Sequence, residues 1–278
     1  MRTACVTGWP VAHSRSPAIH RFWLARHGIE GDYVAYLVAP ETADAFYRNF
    51  EASGFVGANV TLPHKEIAAH VAAHKTPAAE RLGAANTLWL DQAQLVADNT
   101  DGIGFLASLD QRAPGWAERT ECALILGAGG ATRAVLDALL SRGVPRIDLL
   151  NRTEARAHEL AAFFGDGRVT PGSLQGLAAA LSRADLVVNA TSAGLHGAPG
   201  LDLPWDTAKP DALATDLVYV PLKTPFLAGA EAAGLATVDG LGMLLHQAVP
   251  GFERWFGVRP QVDEELRRHI LADLARAA

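Results

Sequence analysis

The segments ALILGAGGATRAV (Ala123–Val135) and RIDLLNRTEAR (Arg146–Arg156) decide the fold of this 278-residue chain. In the first segment an apolar strand runs directly into the glycine-rich turn Gly127–Gly130, and a helical pattern of apolar residues follows at once. Glycines between a strand and a helix allow a tight turn and a close approach of the backbone to a pyrophosphate at the helix N-terminus. The first segment therefore predicts a dinucleotide-binding unit, although its pattern is GxGGxT, with Thr132 at the third glycine position.

The second segment ends in Asn151, Arg152 and Thr153, where such folds contact the adenosine ribose. A protein that binds NAD places a carboxylate here, which accepts hydrogen bonds from the free 2′-hydroxyl. This chain instead has Arg152, with Arg156 one helical turn further on, and guanidinium groups match a 2′-phosphate. The two segments together therefore predict NADP(H) binding. The alternative is a tight strand–helix turn that binds no ligand.

Composition and charge limit the class of protein. The chain is 49% hydrophobic and 19% charged, which is typical of a globular protein with a sizeable core. The net charge of −6 argues against an electrostatic nucleic-acid binder, and no apolar run approaches the ~18 residues of a membrane span. The first residues lack the basic and apolar regions of a signal peptide. Cys5 and Cys122 form no CxxC pair, which indicates reduced thiols in a cytoplasmic protein.

The remainder of the chain alternates predicted strands and helices, which implies parallel sheets with right-handed crossovers. Asn86–Leu90 and Gln94–Ala97 are separated by a short polar break and predict a β-hairpin. The polar stretch Arg112–Thr120 is the predicted linker to the dinucleotide domain, and Leu241–Phe256 is predicted as one helix near the end of the chain. We therefore expect an α/β protein with two α/β domains around a cleft.

Four short segments of the first third place polar residues at the ends of predicted strands. They are HSRSP (His13–Pro17), NVTLPHK (Asn59–Lys65), ANT (Ala85–Thr87) and DNTDGIGF (Asp98–Phe105). Because the carboxyl ends of parallel strands form the binding crevice, we expect seven polar side chains to converge there: Ser14, Ser16, Asn59, Thr61, Lys65, Asn86 and Asp101. This set suits a small polyhydroxylated substrate. A Lys beside an Asp can also move a proton to or from a carbonyl oxygen during hydride transfer.

Several of these residues also have a purely structural interpretation. Ser14 and Ser16 could cap the helix predicted over Pro17–His27, with Ser16 at the N-cap. The helix dipole alone explains Asp101 near the start of a helix. Lys65 in the first turn of a helix is unfavourable with that dipole, and this oddity favours a functional role.

The sequence predicts no metal site. His70 and His74 have the i, i+4 spacing of a zinc pair, but HVAAH lacks the adjacent Glu of HExxH and no third ligand is apparent. A solvated helix face is the simpler interpretation. Serine hydrolase chemistry is not indicated either, because the chain has no GxSxG segment.

Nine segments, in order along nearly the whole chain, resemble the signature segments of the shikimate dehydrogenase family. They are GWPVAHSRSP, GANVTLPHK, GAANTL, DNTDGIGF, LGAGGATRA, NRTEARA, NATSAGL, DLVYVPLKTP and DGLGMLLHQA. The resemblance implies a substrate domain over residues 1–112, completed by C-terminal helices over 241–278, and a Rossmann-type NADP-binding domain over 113–240. It implies reversible, NADPH-dependent reduction of 3-dehydroshikimate to shikimate, in aromatic amino acid (chorismate) biosynthesis. We expect a monomer or homodimer whose partners are these small molecules, not nucleic acid or membrane.

The resemblance also implies a role for individual residues. Lys65 and Asp101 are the implied catalytic pair. The implied substrate ligands are Ser14 and Ser16 for the carboxylate, Thr61, Asn86 and Gln247 for the hydroxyls, and Tyr219 in the segment that closes the pocket. The implied cofactor ligands are Gly127, Ala128, Gly129, Gly130 and Ala131 at the pyrophosphate, Asn151, Arg152, Thr153 and Arg156 on the 2′-phosphate side, Thr191 in the NATS segment, and Gly240 and Met243 near the nicotinamide.

Three alternatives stay open at the level of sequence. A quinate/shikimate dehydrogenase that prefers NAD should show an acidic residue where this chain has Asn151 and Arg152. Another two-domain NADP enzyme, such as a folate dehydrogenase or a glutamyl-tRNA reductase, would not supply Lys65, Asn86 and Asp101 together. A non-catalytic NADP(H)-sensing protein would keep Arg152 and lose the Lys–Asp pair.

Overall fold

The structure of the protein, a computed structural model, describes residues 1–277, which contain two six-stranded sheets. The strands of the described chain are β1 (Arg2–Gly8), β2 (Gly31–Leu37), β3 (Gly57–Val60), β4 (His74–Lys75), β5 (Thr87–Asp91), β6 (Gln94–Asp98), β7 (Cys122–Leu126), β8 (Arg146–Asn151), β9 (Val169–Ser173), β10 (Leu186–Asn189), β11 (Leu213–Asp216) and β12 (Ala236–Val238).

Helices alternate with these strands and close the chain. They are α1 (Ser16–Arg26), α2 (Ala43–Arg48), α3 (Lys65–Val71), α4 (Pro77–Leu82), α5 (Asp101–Arg112), α6 (Trp116–Arg119), α7 (Gly130–Ser141), α8 (Glu154–Phe164), α9 (Leu177–Leu181), α10 (Pro225–Ala232), α11 (Leu241–Gln247), α12 (Val249–Phe256) and α13 (Glu264–Ala277). Across the described residues, none of these helices combines the length and the apolar character that crossing a membrane requires.

The chain divides into two compact units. The first contains residues 1–104 and the described residues from Leu245 onward, and the second contains Phe105–Leu244. The sequence placed these boundaries at 112/113 and 240/241. The observed boundaries differ because Phe105 and Leu109 of α5 pack in the core of the second unit, and Met243 of α11 packs against the same core.

The first unit contains a mixed sheet with the strand order β2-β1-β3-β5-β6-β4. Strand β1 is parallel to β2 and β3, whereas β5 is antiparallel to both β3 and β6. The predicted hairpin is confirmed as β5–β6, and it makes this otherwise parallel sheet mixed. Its turn residues Gln92 and Ala93 have φ values of 48° and 64°, the left-handed conformation that matches the twist of a two-residue hairpin turn.

Two helix predictions are wrong in detail. Ser16 is the first residue of α1, and the N-cap position belongs to Arg15, with no side-chain cap. Ser16 therefore does not cap the helix. The helix predicted over Leu241–Phe256 is interrupted at Ala248, where α11 ends and α12 begins, with Pro250 in the first turn of α12. Proline has no N–H and disfavours the helix interior, which fits a new helix starting there.

The second unit contains a parallel sheet with the strand order β12-β11-β10-β7-β8-β9. Counted from β7, this is the order 3-2-1-4-5-6 of a dinucleotide-binding fold, read from the opposite edge. Its central strands are fully buried, with Ile125, Leu149 and Val188 all inaccessible to solvent, as expected for a sheet covered on both faces. The prediction of an α/β protein with a Rossmann-type second half is confirmed.

A buried histidine, His20, lies in an aromatic cage of the first unit. Its ring stacks on Tyr33 with centroids 4.0 Å apart and contacts Trp23, Phe252 and Trp255. Within the described chain, neither ring nitrogen has a hydrogen-bond partner of normal geometry. Burial lowers the pKa of His20 to about 3, and the Asn59 side chain opposes this effect. The folded protein therefore holds His20 as a neutral imidazole.

The His20 cage predicts a specific loss of stability in acid. The unfolded chain takes up a proton at the ordinary histidine pKa of about 6.5, whereas the folded protein does so only near pH 3. The free energy of unfolding should therefore decrease by about 1.4 kcal/mol per pH unit below ~6.5, or about 2 kcal/mol by about pH 5, through this group alone. Urea unfolding of the wild type and of His20→Phe over this range measures the difference in slope.

The exposed His70 provides the matched control for this measurement, since His70→Gln removes a histidine that lies outside the cage. Equal slopes for the wild type and His20→Phe would contradict the assignment of a neutral, buried His20.

Candidate active site

A lysine–aspartate pair lies in the first unit. Lys65 is the first residue of α3 and Asp101 is the first residue of α5. Lys65 Nζ donates to Asp101 Oδ2 at 2.5 Å, with side-chain exposures of 26% and 12%. This partner explains how a cation is held at a helix N-terminus, where the dipole alone would disfavour it. Solvent and a ligand can reach the lysine, while the carboxylate is nearly enclosed.

Asn86, which directly precedes β5, holds the carboxylate of this pair from the other side. Its Nδ2 donates to Asp101 Oδ1 at 2.8 Å and to Gln247 Oε1 at 3.3 Å. Its Oδ1 accepts from the Thr100 backbone N–H at 2.8 Å and from Thr87 Oγ1 at 3.0 Å. Both N–H bonds and the carbonyl oxygen of this buried amide are thus engaged, which fixes the orientation of the amide.

Gln247 brings the C-terminal part of the chain to the same place. Its backbone carbonyl accepts from Thr100 Oγ1 at 2.8 Å, one residue before Asp101. Asp101 N donates in turn to Asn99 Oδ1 at 3.1 Å, so the start of α5 is held by side chains on both sides. The structure therefore brings together four predicted site residues: Lys65, Asn86, Asp101 and Gln247.

The two predicted carboxylate-binding serines follow β1. The Ser14 hydroxyl accepts from the Ser16 backbone N–H at 3.3 Å, and Ser16 is buried at the start of α1. Thr61 follows β3 and donates its backbone N–H to the Thr7 carbonyl at 2.9 Å. A Cβ on Gly8 would overlap the Thr61 methyl group, so the absence of a side chain at Gly8 lets these two strand ends approach closely. The roles of Ser14, Ser16 and Thr61 toward a ligand stay predictions.

Sequence reasoning missed three contributors to this network. Thr87 and Thr100 both bond the Asn86 amide, and their positions beside Asn86 and Asp101 in the ANT and DNTD segments were an available signal. Tyr33 donates from its hydroxyl to Asn59 Oδ1 at 2.7 Å. No sequence signal identifies Tyr33, because a tyrosine in an apolar strand is ordinarily a core residue.

The glycine-rich turn of the second unit lies between β7 and α7. Gly127 has a φ of 108°, and a Cβ there would approach the Ala190 carbonyl oxygen and the Thr191 methyl group, so glycine is required. Gly129 and Gly130 have no atom within 4 Å of such a Cβ and face open space at the N-terminus of the twelve-residue α7. Ala128 and Ala131 complete this turn. Free N–H groups and the helix dipole favour an anion here.

The end of β8 carries the predicted phosphate-binding arginines. Asn151 Nδ2 donates to the Thr153 carbonyl at 2.8 Å, and the Arg156 N–H donates to the same carbonyl at 3.1 Å, so this turn has a defined shape. Arg152 and Arg156 are exposed, and no ion pair is found for either among the described residues. Two guanidinium groups at the end of a strand suit a dianion such as a phosphate monoester.

A buried carboxylate, Asp216, organises the ends of β10 and β11. It accepts from Asn189 Nδ2 at 3.0 Å, Thr224 Oγ1 at 2.6 Å and the Val218 backbone N–H at 2.9 Å. Asn189 Oδ1 accepts in turn from Thr191 Oγ1 at 2.7 Å. Burial raises the pKa of Asp216, and these hydrogen bonds oppose the rise. The bond to Val218 turns the chain back toward the end of β11 at Asp216.

Two further predicted cofactor residues follow β12. A Cβ on Gly240 would lie 2.6 Å from the Leu217 carbonyl oxygen and 2.7 Å from that of Asp216, so this close approach requires glycine. Met243 is partly buried and packs against the core of the second unit. Their roles toward a nicotinamide, like that of Tyr219, stay predictions. Residues 1–277 contain no group of three or more His, Cys, Asp and Glu side chains placed to hold a metal ion.

A parallel sheet in Rossmann order, an open glycine turn and a partly buried Lys–Asp pair together define a class of protein. Dinucleotide-dependent oxidoreductases combine these features, because they need an anion-binding helix end and a group that moves a proton.

Three family models match successive parts of the chain. A model described as shikimate dehydrogenase substrate binding domain matches residues 6–88. One described as shikimate/quinate 5-dehydrogenase matches residues 111–196, and one described as shikimate 5′-dehydrogenase C-terminal domain matches residues 240–264.

Relatives and solved structures agree with these models. The chain is 55% identical over 275 residues to a shikimate dehydrogenase (NADP(+)) of Azorhizobium caulinodans, covering 99% of this chain and 98% of that protein. It resembles the structure of shikimate 5-dehydrogenase from Thermus thermophilus in complex with NADP(H) and shikimate, with a TM-score of 0.86, 38% identity and full coverage of both chains. It also resembles a quinate dehydrogenase from Corynebacterium glutamicum in complex with NAD, with a TM-score of 0.89, 28% identity and coverage of 98% and 99%. The chain belongs to the shikimate dehydrogenase family.

Proposed function

We propose that this protein catalyses the reversible reduction of 3-dehydroshikimate to shikimate with NADPH, a step toward aromatic amino acids through chorismate. The observation that carries the proposal is the Lys65–Asp101 pair, held at 2.5 Å and fixed by Asn86 in a chain of this family. A non-catalytic NADP(H)-sensing protein has no need of a positioned acid–base pair. Its presence therefore favours an enzyme.

The polar groups of the first unit suit the proposed substrate. Shikimate and 3-dehydroshikimate carry one carboxylate and several oxygen substituents on a small ring. The hydroxyls of Ser14 and Ser16 are proposed to bind the carboxylate. Thr61, Asn86 and Gln247 are proposed to bind the ring oxygens, and Tyr219 is proposed to close the pocket. Because the Asn86 N–H groups already bond Asp101 and Gln247, a substrate hydroxyl that reaches Asn86 must share or replace the bond to Gln247.

The second unit suits NADP(H). The open space at Gly129 and Gly130 is proposed to accept the pyrophosphate, with Gly127, Ala128 and Ala131 shaping the turn. Asn151, Arg152, Thr153 and Arg156 are proposed to bind the 2′-phosphate. Thr191, Gly240 and Met243 are proposed to line the nicotinamide site.

The Lys65–Asp101 pair supplies the proton of the proposed reaction. NADPH, when bound, supplies the hydride to the ketone carbon. The ketone oxygen then carries negative charge, and an ammonium at Lys65 donates a proton to it as the charge develops. Asp101 accepts a hydrogen bond from one of the three N–H groups of that ammonium, which orients the other two. Because the Lys65 side chain is 26% exposed, water can return the proton, and the reverse reaction uses the same groups in the opposite sense.

The proposal includes the setting in which the enzyme works. Cys5 and Cys122 are both free and buried, which supports a reducing cytoplasm. Lys65, Asn86, Asp101 and Gln247 all come from one chain, so the catalytic pair needs no second subunit. A monomer or a homodimer is therefore sufficient for activity.

One assay separates this proposal from its rivals. Purified protein with shikimate and NADP+ should give a shikimate-dependent rise in NADPH absorbance. The exchange of shikimate for quinate, and of NADP+ for NAD+, should each lower kcat/KM. Activity that is higher with quinate and NAD+ would instead favour a quinate dehydrogenase. No activity with either acid would contradict the proposed function.

Loss of the lysine should affect turnover more than binding. Positioned acid–base groups contribute about 10²–10⁴-fold to rate, so Lys65→Ala should lower kcat at least about a hundredfold while the KM for shikimate changes far less. Steady-state kinetics measure both constants. Lys75→Ala, which removes a lysine of the same unit paired with Glu80, is the matched control and should leave both near wild type. If Lys65→Ala raised only KM, Lys65 would be a binding residue.

Loss of an arginine should affect one cofactor and not the other. Charge-assisted hydrogen bonds to a phosphate contribute about 1.5–3 kcal/mol, so Arg152→Ala should raise the KM for NADP+ more than about tenfold and leave that for NAD+ nearly unchanged. Arg119→Ala, which removes an exposed arginine elsewhere in the same unit, should change neither constant. Equal losses with both cofactors would indicate damage to the fold and not a lost phosphate contact.

A further inference from the structure

Behind the catalytic pair lies a line of buried polar side chains that extends from Asn86 to Tyr33, which has no assigned role. Tyr33, Asn59, Thr87 and Asn86 are each at most 5% exposed, and they lie on β2, β3 and β5 or directly before it. Buried polar groups cost stability unless they are paired, and here each one is. Their hydrogen bonds form a continuous path toward Asp101.

The donors in this path all point in one direction. The Tyr33 hydroxyl donates to Asn59 Oδ1 at 2.7 Å, and Asn59 Nδ2 donates to Thr87 Oγ1 at 3.3 Å. Thr87 Oγ1 donates to Asn86 Oδ1 at 3.0 Å, and Asn86 Nδ2 donates to Asp101 Oδ1 at 2.8 Å. Aligned hydrogen bonds polarise one another and strengthen the last bond of the series. The series ends at a carboxylate, which accepts and does not donate when it is ionised.

Asn59 acts at a second point of the same path. Its Nδ2 also donates to the Asn86 backbone carbonyl at 3.1 Å, so one amide holds both the main chain of Asn86 and the hydroxyl that bonds its side chain. With Oδ1 bonded to Tyr33, the amide of Asn59 has one favourable orientation. If the tyrosine hydroxyl were absent, Oδ1 would lose the hydrogen bond that favours this orientation of the amide.

The position and protonation of Tyr33 suit the role of first donor. Its ring stacks on His20 with an angle of 5° between the planes and is inaccessible to solvent, so the hydroxyl is held in place. Burial raises the pKa of Tyr33 well above its ordinary value, and interactions with the Ser16 side chain and the Asn59 backbone oppose the rise. The hydroxyl therefore keeps its proton at any pH at which the protein works. It also lies within reach of Ser16, a proposed ligand of the substrate carboxylate.

We propose that Tyr33 is a positioning residue for catalysis: its hydroxyl starts the hydrogen-bond chain Tyr33–Asn59–Thr87–Asn86–Asp101, which fixes the catalytic carboxylate against Lys65. The kinetic part of this proposal rests on the proposed function. No direct contact of Tyr33 with substrate or cofactor is proposed, and the proposed effect passes through Asn59. Thr100 also bonds Asn86 Oδ1, so removal of Tyr33 weakens the positioning of Asn86 without abolishing it.

The kinetic test uses Tyr33→Phe, which removes only the hydroxyl. It should lower kcat roughly five- to tenfold, while the KM for NADP+ is unchanged. In an Asp101→Ala background the same substitution should lower kcat little further, because the hydrogen-bond chain then lacks the carboxylate at its end. Tyr47→Phe is the matched control. It removes another buried phenol, hydrogen-bonded to Thr7 at 2.7 Å, and should lower stability without lowering kcat.

A second readout needs no activity. The chain contains four lysines, and an amine-reactive reagent followed by peptide mass analysis gives the labelling rate of Lys65 relative to Lys75. Tyr33→Phe should raise this ratio roughly threefold, since a less firmly held Asp101 releases the ammonium more often. Tyr47→Phe should leave it unchanged. A wild-type protein with no shikimate activity would contradict the proposed function, while the labelling ratio would still test the hydrogen-bond chain.

Three results would overturn the proposal. One is an unchanged kcat and labelling ratio in Tyr33→Phe. Another is an equal loss of kcat in the wild-type and Asp101→Ala backgrounds, and the third is an equal loss in Tyr47→Phe. If Tyr33→Phe does not fold, Thr87→Val breaks the same hydrogen-bond chain between Asn59 and Asn86. This variant should also lower kcat and raise the labelling ratio of Lys65. Wild-type values for that variant would then overturn the proposal.

Discussion

The amide of Asn86 is the group on which the proposed catalytic arrangement depends. An amide is the one uncharged side chain type that donates two N–H bonds and accepts at a carbonyl oxygen. Here the acceptor side is fixed by Thr100 and Thr87, so the donor side must face Asp101 and Gln247. A carboxylate held in this way can in turn hold Lys65. Buried polar networks of this kind are rigid when every member is satisfied, and in this one every bond of the Asn86 amide is made.

The second unit also holds its functional groups in fixed positions, through a parallel sheet whose loops begin at one edge. Its sheet is wholly parallel, so the loops after β7, β10 and β11 all begin at the same edge. Asp216 links the ends of β10 and β11 because it accepts a hydrogen bond from Asn189. Gly127 lets the turn after β7 come close to the loop after β10, and Gly240 lets the chain after β12 come close to the end of β11. Arg152 and Arg156 are left exposed at the end of β8. Buried side chains thus fix the loop ends, and the groups suited to an anion remain open.

Much of this arrangement could be predicted from the sequence, because strand ends determine which polar residues meet. Lys65, Asn86 and Asp101 are separated in sequence, yet each was expected at a strand or helix end of the same unit, and the structure brings them within hydrogen-bond distance. The glycine turn and the arginines after β8 followed from local pattern alone. The direction of each hydrogen bond could not be predicted, since it depends on side-chain orientation after packing.

The wrong predictions have identifiable physical causes. Serine is a common N-cap residue, and Ser16 was predicted at the N-cap. It is instead the first residue of α1, where its side chain lies within reach of the buried Tyr33. The first sheet is mixed because the predicted hairpin places β5 antiparallel to both β3 and β6.

The central claim is that Lys65 and Asp101 act as one unit. A double-mutant cycle tests it most directly, with turnover measured for the wild type, Lys65→Ala, Asp101→Ala and the double variant under saturating shikimate and NADP+. Residues that act as a unit are strongly non-additive, so the double variant should be little slower than the slower single variant. If the two losses multiplied instead, the two side chains would contribute independently, and the account of a single positioned pair would be contradicted.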